Sequence, residues 1–338
     1  MDDNRLGQST PNHRPTLVLT RAQIGAFMTA SDDLVAAEEA FRALATGQAV
    51  APPPLHISVE HGGFHAKAAC LASYAVVKVN ANFPSNPKAN GLPTIQGAIV
   101  LCDARNGRLL AVMDTTEVTL RRTAAATALA ATRLARPNAE AVAIIGCGAQ
   151  SRAQLAALAS EFRLRRVLVW DIDGKAAAAL AADVSTYLGF PVEHAGDMRA
   201  ATRSADIVVT CTTSSKAFLD EDAIRPGTFV AAVGADHPHK SEIAPRLMAR
   251  AKVVVDVLEQ CAVMGDLHHA IAAGVMTARD VHASLGELVV GQRPGRDDAA
   301  EITLFDSTGT AAQDVTAAAR IYERARAAGM GAIQNFNG

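Results

Sequence analysis

The chain has 338 residues, 49% apolar and 20% charged, a globular balance that excludes fibrous and disordered classes. Its 32 basic and 34 acidic side chains leave a net charge of −2, which gives no electrostatic footprint for nucleic acid or an anionic membrane. A chain of this length is expected to form two domains that bury their cores without disulfide or metal. Cys70, Cys102, Cys147, Cys211 and Cys261 are scattered, as expected of small buried hydrophobes in a reducing compartment. The polar N-terminal stretch, with acids at positions 2 and 3, is unlike a secretory signal. No apolar run reaches the ~20 residues of a membrane span, so a cytoplasmic protein is expected.

Residues 1–14 read as a disordered tail. Thr16 to Thr20 reads as a strand, and a helical pattern runs from Arg21 to Thr46, where Gly47 stops it. Pro52, Pro53 and Pro54 then exclude helix and central strand. Leu55 to Lys78 reads as strands, with His61-Gly62-Gly63 as the hairpin turn. Asn80 to Pro93 is rich in Asn, Pro and Gly and reads as an irregular, functional loop. Thr94–Cys102 and Leu109–Met113 form a second hairpin around Asn106-Gly107. This first part is an α+β unit.

An alanine-rich helix spans Glu117 to Ala135 and ends before Pro137. Short apolar strands then alternate with helices: Val142–Ile145, Val167–Trp170, Ile207–Thr210, Phe229–Val233, Val253–Val257 and Ile302–Phe305, with a final helix from Thr310 to Ala328. This alternation predicts a parallel sheet with helices on both faces.

The first strand of the series runs into Gly146-Cys147-Gly148-Ala149-Gln150-Ser151. Gly146 permits the tight strand-to-helix turn, Gly148 lets backbone approach a pyrophosphate, and the following helix offers free N–H groups. Ser151 stands where the third glycine of the dinucleotide fingerprint is usual. Asp171 ends the next strand, 25 residues after Gly146, where a carboxylate binds ribose hydroxyls and repels a 2′-phosphate. NAD is therefore expected over NADP, with Asp173 as a competitor for the ribose role.

Lys78-Val79-Asn80, Gly91-Leu92-Pro93-Thr94, Arg122-Thr123-Ala124-Ala125, Gly146-x-Gly148-Ala149-Gln150, Gly234-Ala235-Asp236 and Asp306-Ser307-Thr308-Gly309 follow one another in this order. The set resembles the ornithine cyclodeaminase/mu-crystallin family from about residue 16 onward. The resemblance implies a Rossmann NAD-binding domain over residues 119–309. It also implies an α+β substrate and dimerisation domain over 15–118, completed by the C-terminal helix within 310–338. A homodimer is implied, as is hydride transfer at the α-carbon of an amino acid or its imine.

By the same resemblance, Lys78 and Arg122 take the substrate carboxylate, and Thr94 lies in the substrate-binding set. Asp236 takes or returns a proton at the substrate nitrogen, and Lys78 can orient an attacking water or amine. Thr123, Gly146, Gly148, Ala149, Gln150, Asp171, Thr212, Val233, Lys240 and Ser307 match positions that contact the dinucleotide. Read by itself, Arg122 beside Arg121 would be a solvated surface charge, and Asp236 before Pro238 a turn residue. One departure stands out: relatives commonly carry an arginine after a proline pair, whereas this chain has Pro53-Pro54-Leu55. Lys67 or His56 could supply the missing cation from neighbouring strands.

No metal site is expected. His268 and His269 diverge on a helix, and His61 and His65 have HxxxH spacing but fall in a hairpin. His237 and His239 flank Pro238 and can reach the crevice, with no further ligand evident. Cys147 reads as a small residue beneath the pyrophosphate and not as a redox centre. The activity that fits first is an ornithine cyclodeaminase-like reaction, ornithine to proline with loss of ammonia. The alternatives are an amino-acid dehydrogenase or a reductase of imines such as pyrroline-2-carboxylate, and, more remotely, a non-catalytic crystallin-like binder.

Overall fold

The computed structural model describes residues 15–336, so the tail expected over residues 1–14 lies outside its range. Strand β1 (Thr16–Leu19) leads into two helices where one was expected, α1 (Arg21–Phe27) and α2 (Ala30–Ala45). The break has a local cause. The Thr29 hydroxyl accepts from the Asp32 N–H at 3.2 Å while the Asp32 carboxylate accepts from the Thr29 N–H at 3.0 Å, a reciprocal cap that starts a new helix.

Strands β2 (Ala49–Val50), β3 (Leu55–Val59), β4 (Gly62–Leu71) and β5 (Tyr74–Asn82) follow. The β3–β4 turn is Glu60-His61, and Gly62 and Gly63 lie within β4 instead of the turn. A Cβ on Gly62 would run into the Asn82 carbonyl, so close approach of β5 excludes a side chain there. The expected loop from Asn80 is shorter, because β5 continues to Asn82 and a one-turn helix α3 (Asn86–Ala89) follows. β6 (Ile95–Asp103) and β7 (Leu109–Asp114) make the second hairpin as expected. Asp114 then caps α4 (Thr115–Leu134) by accepting from the Glu117 N–H.

The alternating part contains β8 (Ala141–Ile145), α5 (Ala149–Glu161), β9 (Arg166–Trp170), α6 (Gly174–Leu188), β10 (Val192–His194), α7 (Met198–Ser204), β11 (Ile207–Thr210) and β12 (Phe229–Ala232). It continues through α8 (Pro245–Arg250), β13 (Lys252–Val255), α9 (Leu258–Met264), α10 (Asp266–Ala272), β14 (Ala283–Ser284), α11 (Leu285–Val289) and β15 (Thr303–Asp306). Helix α12 (Ala311–Ala327) and strand β16 (Ala332–Gln334) close the described chain.

Two sheets result. The first has the order β16-β1-β7-β6-β5-β4-β2, with β3 also paired to β4, and is antiparallel except for β1 with β7. The second is wholly parallel, in the order β10-β9-β8-β11-β12-β15-β13-β14. Its strands are buried on both faces: Ile144, Val209, Ala231 and Phe305 join one core, and their neighbours Ala143, Val208, Val230 and Leu304 the other. Chain direction across this sheet reverses between β8 and β11, the switch point at which open parallel sheets bind ligands. The chain passes between the sheets along α4, and returns through residues 306–310 into α12. Val315, Ala318 and Ile321 of α12 pack with Val76, Ile99 and Leu101 in a third core on the first sheet. Among the described residues no helix is long and apolar enough to cross a membrane.

Candidate active site between the two sheets

At the carboxyl edge of the parallel sheet, Gly146 adopts φ +101°, and a Cβ there would lie 2.9 Å from both the Cys211 carbonyl oxygen and the Thr212 methyl. Only glycine fits this turn. Gly148 begins α5 without a side-chain cap, and nothing stands within 4 Å of where its Cβ would be. The helix N-terminus thus faces open space with unpaired N–H groups, a cradle for phosphate oxygens. Asp171 accepts from the Cys147 N–H at 2.7 Å and from the Asp173 N–H at 2.8 Å, so the expected ribose ligand also braces the glycine turn. Asp173 caps α6 through the Lys175 N–H, which commits the competing acid to a local role. These features fit a dinucleotide.

Ala149 opens α5, and Gln150 accepts from Gln154 Nε2 at 3.4 Å. Thr212, Val233 and Ser307 follow β11, β12 and β15, and Thr123 is buried on α4. Glu242, a residue the sequence reading missed, ties this edge together. Its carboxylate accepts from the Thr210 hydroxyl at 2.7 Å, the Thr212 N–H at 2.6 Å and the Gly234 N–H at 2.8 Å. Burial, with the Asp266 carboxylate nearby, pushes Glu242 up to about 7 despite those donors. Asp256 does comparable work beyond β13, accepting from the Gly309 N–H at 2.5 Å, the Thr308 hydroxyl at 3.0 Å and the Ser307 hydroxyl at 3.4 Å. Burial and the Asp171 charge push the Cys147 thiol up to about 12, the state of an inert thiol.

The first sheet and α12 supply the cationic wall. Lys78 Nζ donates to Asp314 Oδ1 at 2.9 Å and to the Thr119 hydroxyl at 2.7 Å. Arg122, far from being a solvated surface charge, is buried. Its Nε lies 3.3 Å from the same Asp314 oxygen and its Nη1 donates to Gln313 at 3.1 Å. Burial, only partly opposed by Asp314, lowers Lys78 to about 8. Asp314 is held below the usual carboxylate range, because the Lys78 and Arg122 charges outweigh its burial. The sequence offers one signal for Asp314, an acid in the alanine-rich, buried first turn of α12. Lys67 stands opposite Lys78 in the β4–β5 register, and its Nζ donates to the Gly309 carbonyl at 2.7 Å. The expected compensating lysine therefore points into the cleft.

Across the cleft, Asp236 follows β12 and its carboxylate accepts from Lys240 Nζ at 2.6 Å. Lys240, expected against the dinucleotide, is thus paired with the candidate base. Desolvation within the cleft would raise Asp236, but its side chain is half exposed, and the Lys240 charge and hydrogen bond, with Lys67 and His65 nearby, hold it below its ordinary value. His237 stands beside Asp236 and meets His56 edge-on, with ring centroids 5.1 Å apart. Thr94 lies before β6, joined through its carbonyl to the Phe83 N–H at 2.8 Å, outside the Lys78–Arg122–Asp314 cluster. His268 and His269 each face a backbone carbonyl. Among the described residues, no three His, Cys, Asp or Glu side chains are arranged to hold a metal ion.

The model of the ornithine cyclodeaminase/mu-crystallin family matches residues 14–329. An archaeal alanine dehydrogenase dimer with bound NAD superposes with a TM-score of 0.92 at 37% identity, covering 96% of this chain and 100% of that one. The Δ1-pyrroline-2-carboxylate reductase of Thermococcus litoralis, solved with NADH and L-proline, gives a TM-score of 0.91 at 33% identity over 94% and 99% of the two chains. The iminosuccinate reductase of Paracoccus denitrificans, in complex with NAD+, gives 0.88 at 31% identity over 95% and 99%.

Proposed function

Because this chain belongs to the ornithine cyclodeaminase/mu-crystallin family, we propose that it is an NAD-dependent enzyme that interconverts an α-amino acid and its imine, acting as an amino-acid dehydrogenase or imine reductase. The observation that carries this reading is the placement of Lys78, Arg122 and Lys67 on one wall of the cleft, with Asp236 on the other, beside the glycine turn of β8. The oxidoreductases solved with NAD or NADH, similar over almost the whole chain, support the cofactor.

Lys78 and Arg122 would bind the substrate carboxylate, with Asp314 keeping both side chains extended into the cleft. Asp236, ionised near neutral pH, would take a proton from the substrate ammonium, leaving a nitrogen lone pair to form the C=N bond. When bound, NAD supplies the acceptor for the Cα hydride, and NADH the donor in the reverse direction. Hydrolysis of the imine completes the balance: amino acid, NAD+ and water give 2-oxo acid, ammonium, NADH and a proton. Asp171, braced against the glycine turn, would take the ribose and disfavour NADP.

The same groups would serve the ornithine-to-proline reaction, in which the distal amine attacks the imine carbon and ammonia leaves. Less favourable to it is the pairing of two of the cleft's carboxylates with cations already present, Asp314 with Lys78 and Arg122 and Asp236 with Lys240, so a distal ammonium would have to compete for either. The likeness to a dimeric dehydrogenase supports a homodimer. So does the outward face of the first sheet, where Leu55, Ile57, Phe64, Val77 and Val79 are exposed. Five unpaired cysteines support the cytoplasm as its location.

The test is incubation of the purified protein with NAD and L-alanine, L-aspartate or L-ornithine, reading NADH, ammonia and proline together. NADH and ammonia formed in step support a dehydrogenase. Proline in excess of the NAD supplied, without lasting NADH, would establish the cyclodeaminase instead.

A further inference from the structure

Outward from the carboxylate clamp, the cleft is lined by imidazoles. Strand register sets the order: Lys67 faces Lys78 across β4 and β5, and two residues along β4 toward the mouth His65 faces Asn80 on one side and His56 on the other. Residues two apart in a strand share a face and stand roughly 6.6 Å apart, so His65 is one pleat beyond Lys67. The Nδ1 atoms of His56 and His65 are 3.2 Å apart, and their ring centroids 4.3 Å. His237 closes over both from the opposite wall, with centroids 5.1 Å from His56 and 6.2 Å from His65. The side chains come from elements far apart in sequence, and the clamp does not use them.

Charge decides what this wall can receive. Near the floor, Lys67, Lys78 and Arg122 face the carboxylates of Asp314 and Asp256, while Asp236 and Lys240 balance each other. The surplus of one positive charge is met by the substrate's own α-carboxylate. Further along the side chain stand the three imidazoles, whose ring nitrogens donate hydrogen bonds or take up a proton, and the nearest acid, Asp236, is already paired with Lys240. A distal ammonium would have to compete with Lys240 for Asp236, and an apolar side chain would leave the imidazole nitrogens without water.

We propose that His56, His65 and His237 form the specificity wall of this enzyme, selecting amino and imino acids whose side chain ends in a second carboxylate. The inference rests on the amino-acid/imine reading of the preceding subsection and extends it to a substrate class, the short α-amino dicarboxylates. The wall also couples binding to protons. Burial first, then the charge of His56, holds His65 down at about 4, opposed by Asp236 and reinforced by Lys67 and His237. His237 is lowered by burial, then by His56, His239 and Lys240, again against Asp236. His65 is therefore neutral near pH 7, so a second carboxylate bound beside it favours uptake of a proton there, and its affinity rises as pH falls.

The test compares reductive amination of oxaloacetate and of pyruvate, with ammonia and NADH, in the wild type, His65→Leu and His56→Leu. His56 is exposed on β3, so its replacement keeps the test valid if His65→Leu folds poorly. Calorimetric titration of the NAD-loaded protein with succinate and butyrate, which cannot react, is the second readout. The expected result is a kcat/KM ratio favouring oxaloacetate by about tenfold or more, collapsing toward one in both variants. Succinate is expected to bind more tightly than butyrate, with proton uptake and increasingly as pH falls. Turnover of pyruvate as good as that of oxaloacetate, or a ratio unmoved in the variants, overturns the wall and leaves the dehydrogenase reading standing. No turnover of either oxo acid, with histidine-dependent succinate binding, overturns the reaction while supporting the wall.

Discussion

Asp314 accepts a hydrogen bond from Lys78 at 2.9 Å, across 236 residues of sequence, and both side chains are buried. Asp314 lies one turn into α12, the helix entered directly from β15 of the parallel sheet, whereas Lys78 lies in the first sheet. The carboxylate clamp is therefore complete only when the returning helix is docked, so the dinucleotide and substrate layers share one connection. Asp314→Asn should cost about 3–5 kcal/mol of stability by urea denaturation, since Lys78 and Arg122 would be left as buried cations without their counter-charge. The Asp314 charge raises Lys78 against burial, so its removal lowers Lys78 below its value of about 8. The alkaline rise in substrate KM should then begin at lower pH in the variant. An unmoved limb would mean that another group titrates there.

Gly309 carries the guanidinium of Arg122 on its bare face. A Cβ at this position would sit 2.5 Å from Nη1 and 2.8 Å from Nη2, and the residue has φ +78°. Gly309→Ala adds backbone strain of about 1–3 kcal/mol and pushes Arg122 out of line. Substrate KM is expected to rise about tenfold or more, with a smaller change in the dissociation constant of NADH. Equal weakening of both would indicate that the β15–α12 connection as a whole has shifted.

The parallel sheet was legible because each strand is a short apolar run between helices, and Ile207–Thr210 falls where the pattern places it. The edge strands Val192–His194 and Ala283–Ser284 escaped, since two or three residues hold no period. The break between α1 and α2 was written in Thr29-x-x-Asp32, but the apolar pattern continues across it and hid the cap. Lys78, Arg122 and Asp236 emerged from the order of motifs; composition and spacing offered no reason to join them. Asp314, Glu242 and the histidine wall depend on contacts between distant elements, which no local pattern encodes.

Asp171 bears a charge and two structural bonds, to the Cys147 and Asp173 N–H groups. Asp171→Asn keeps an acceptor for the Cys147 N–H, now made at 2.7 Å, gives up the one for the Asp173 N–H, and removes the charge that would repel a 2′-phosphate. The preference for NADH over NADPH, as a ratio of dissociation constants from fluorescence titration, should fall by about tenfold or more. A wild type that already binds NADPH more tightly would take the ribose role away from Asp171.

Glu242 gives the stability of the protein a pH dependence of its own. Burial raises its pKa from an ordinary 4.5 to about 7, so across that interval the folded state holds a proton that the unfolded state has released. The sign follows: Glu242's contribution is full below about 4.5 and is lost as pH rises through about 7. Glu242→Gln removes this slope. The amide also turns an N–H donor toward the Thr212 or Gly234 N–H, so the variant is less stable throughout, and the end of β12 that carries Asp236 loosens. The discriminating measurement is the difference in unfolding free energy between wild type and variant from pH 4.5 to 7.5. That difference should shrink as pH rises, by about 3 kcal/mol at most for a shift of this size. A constant difference would show that Glu242 is ionised in the folded protein across the whole range, held so by the Thr210, Thr212 and Gly234 donors.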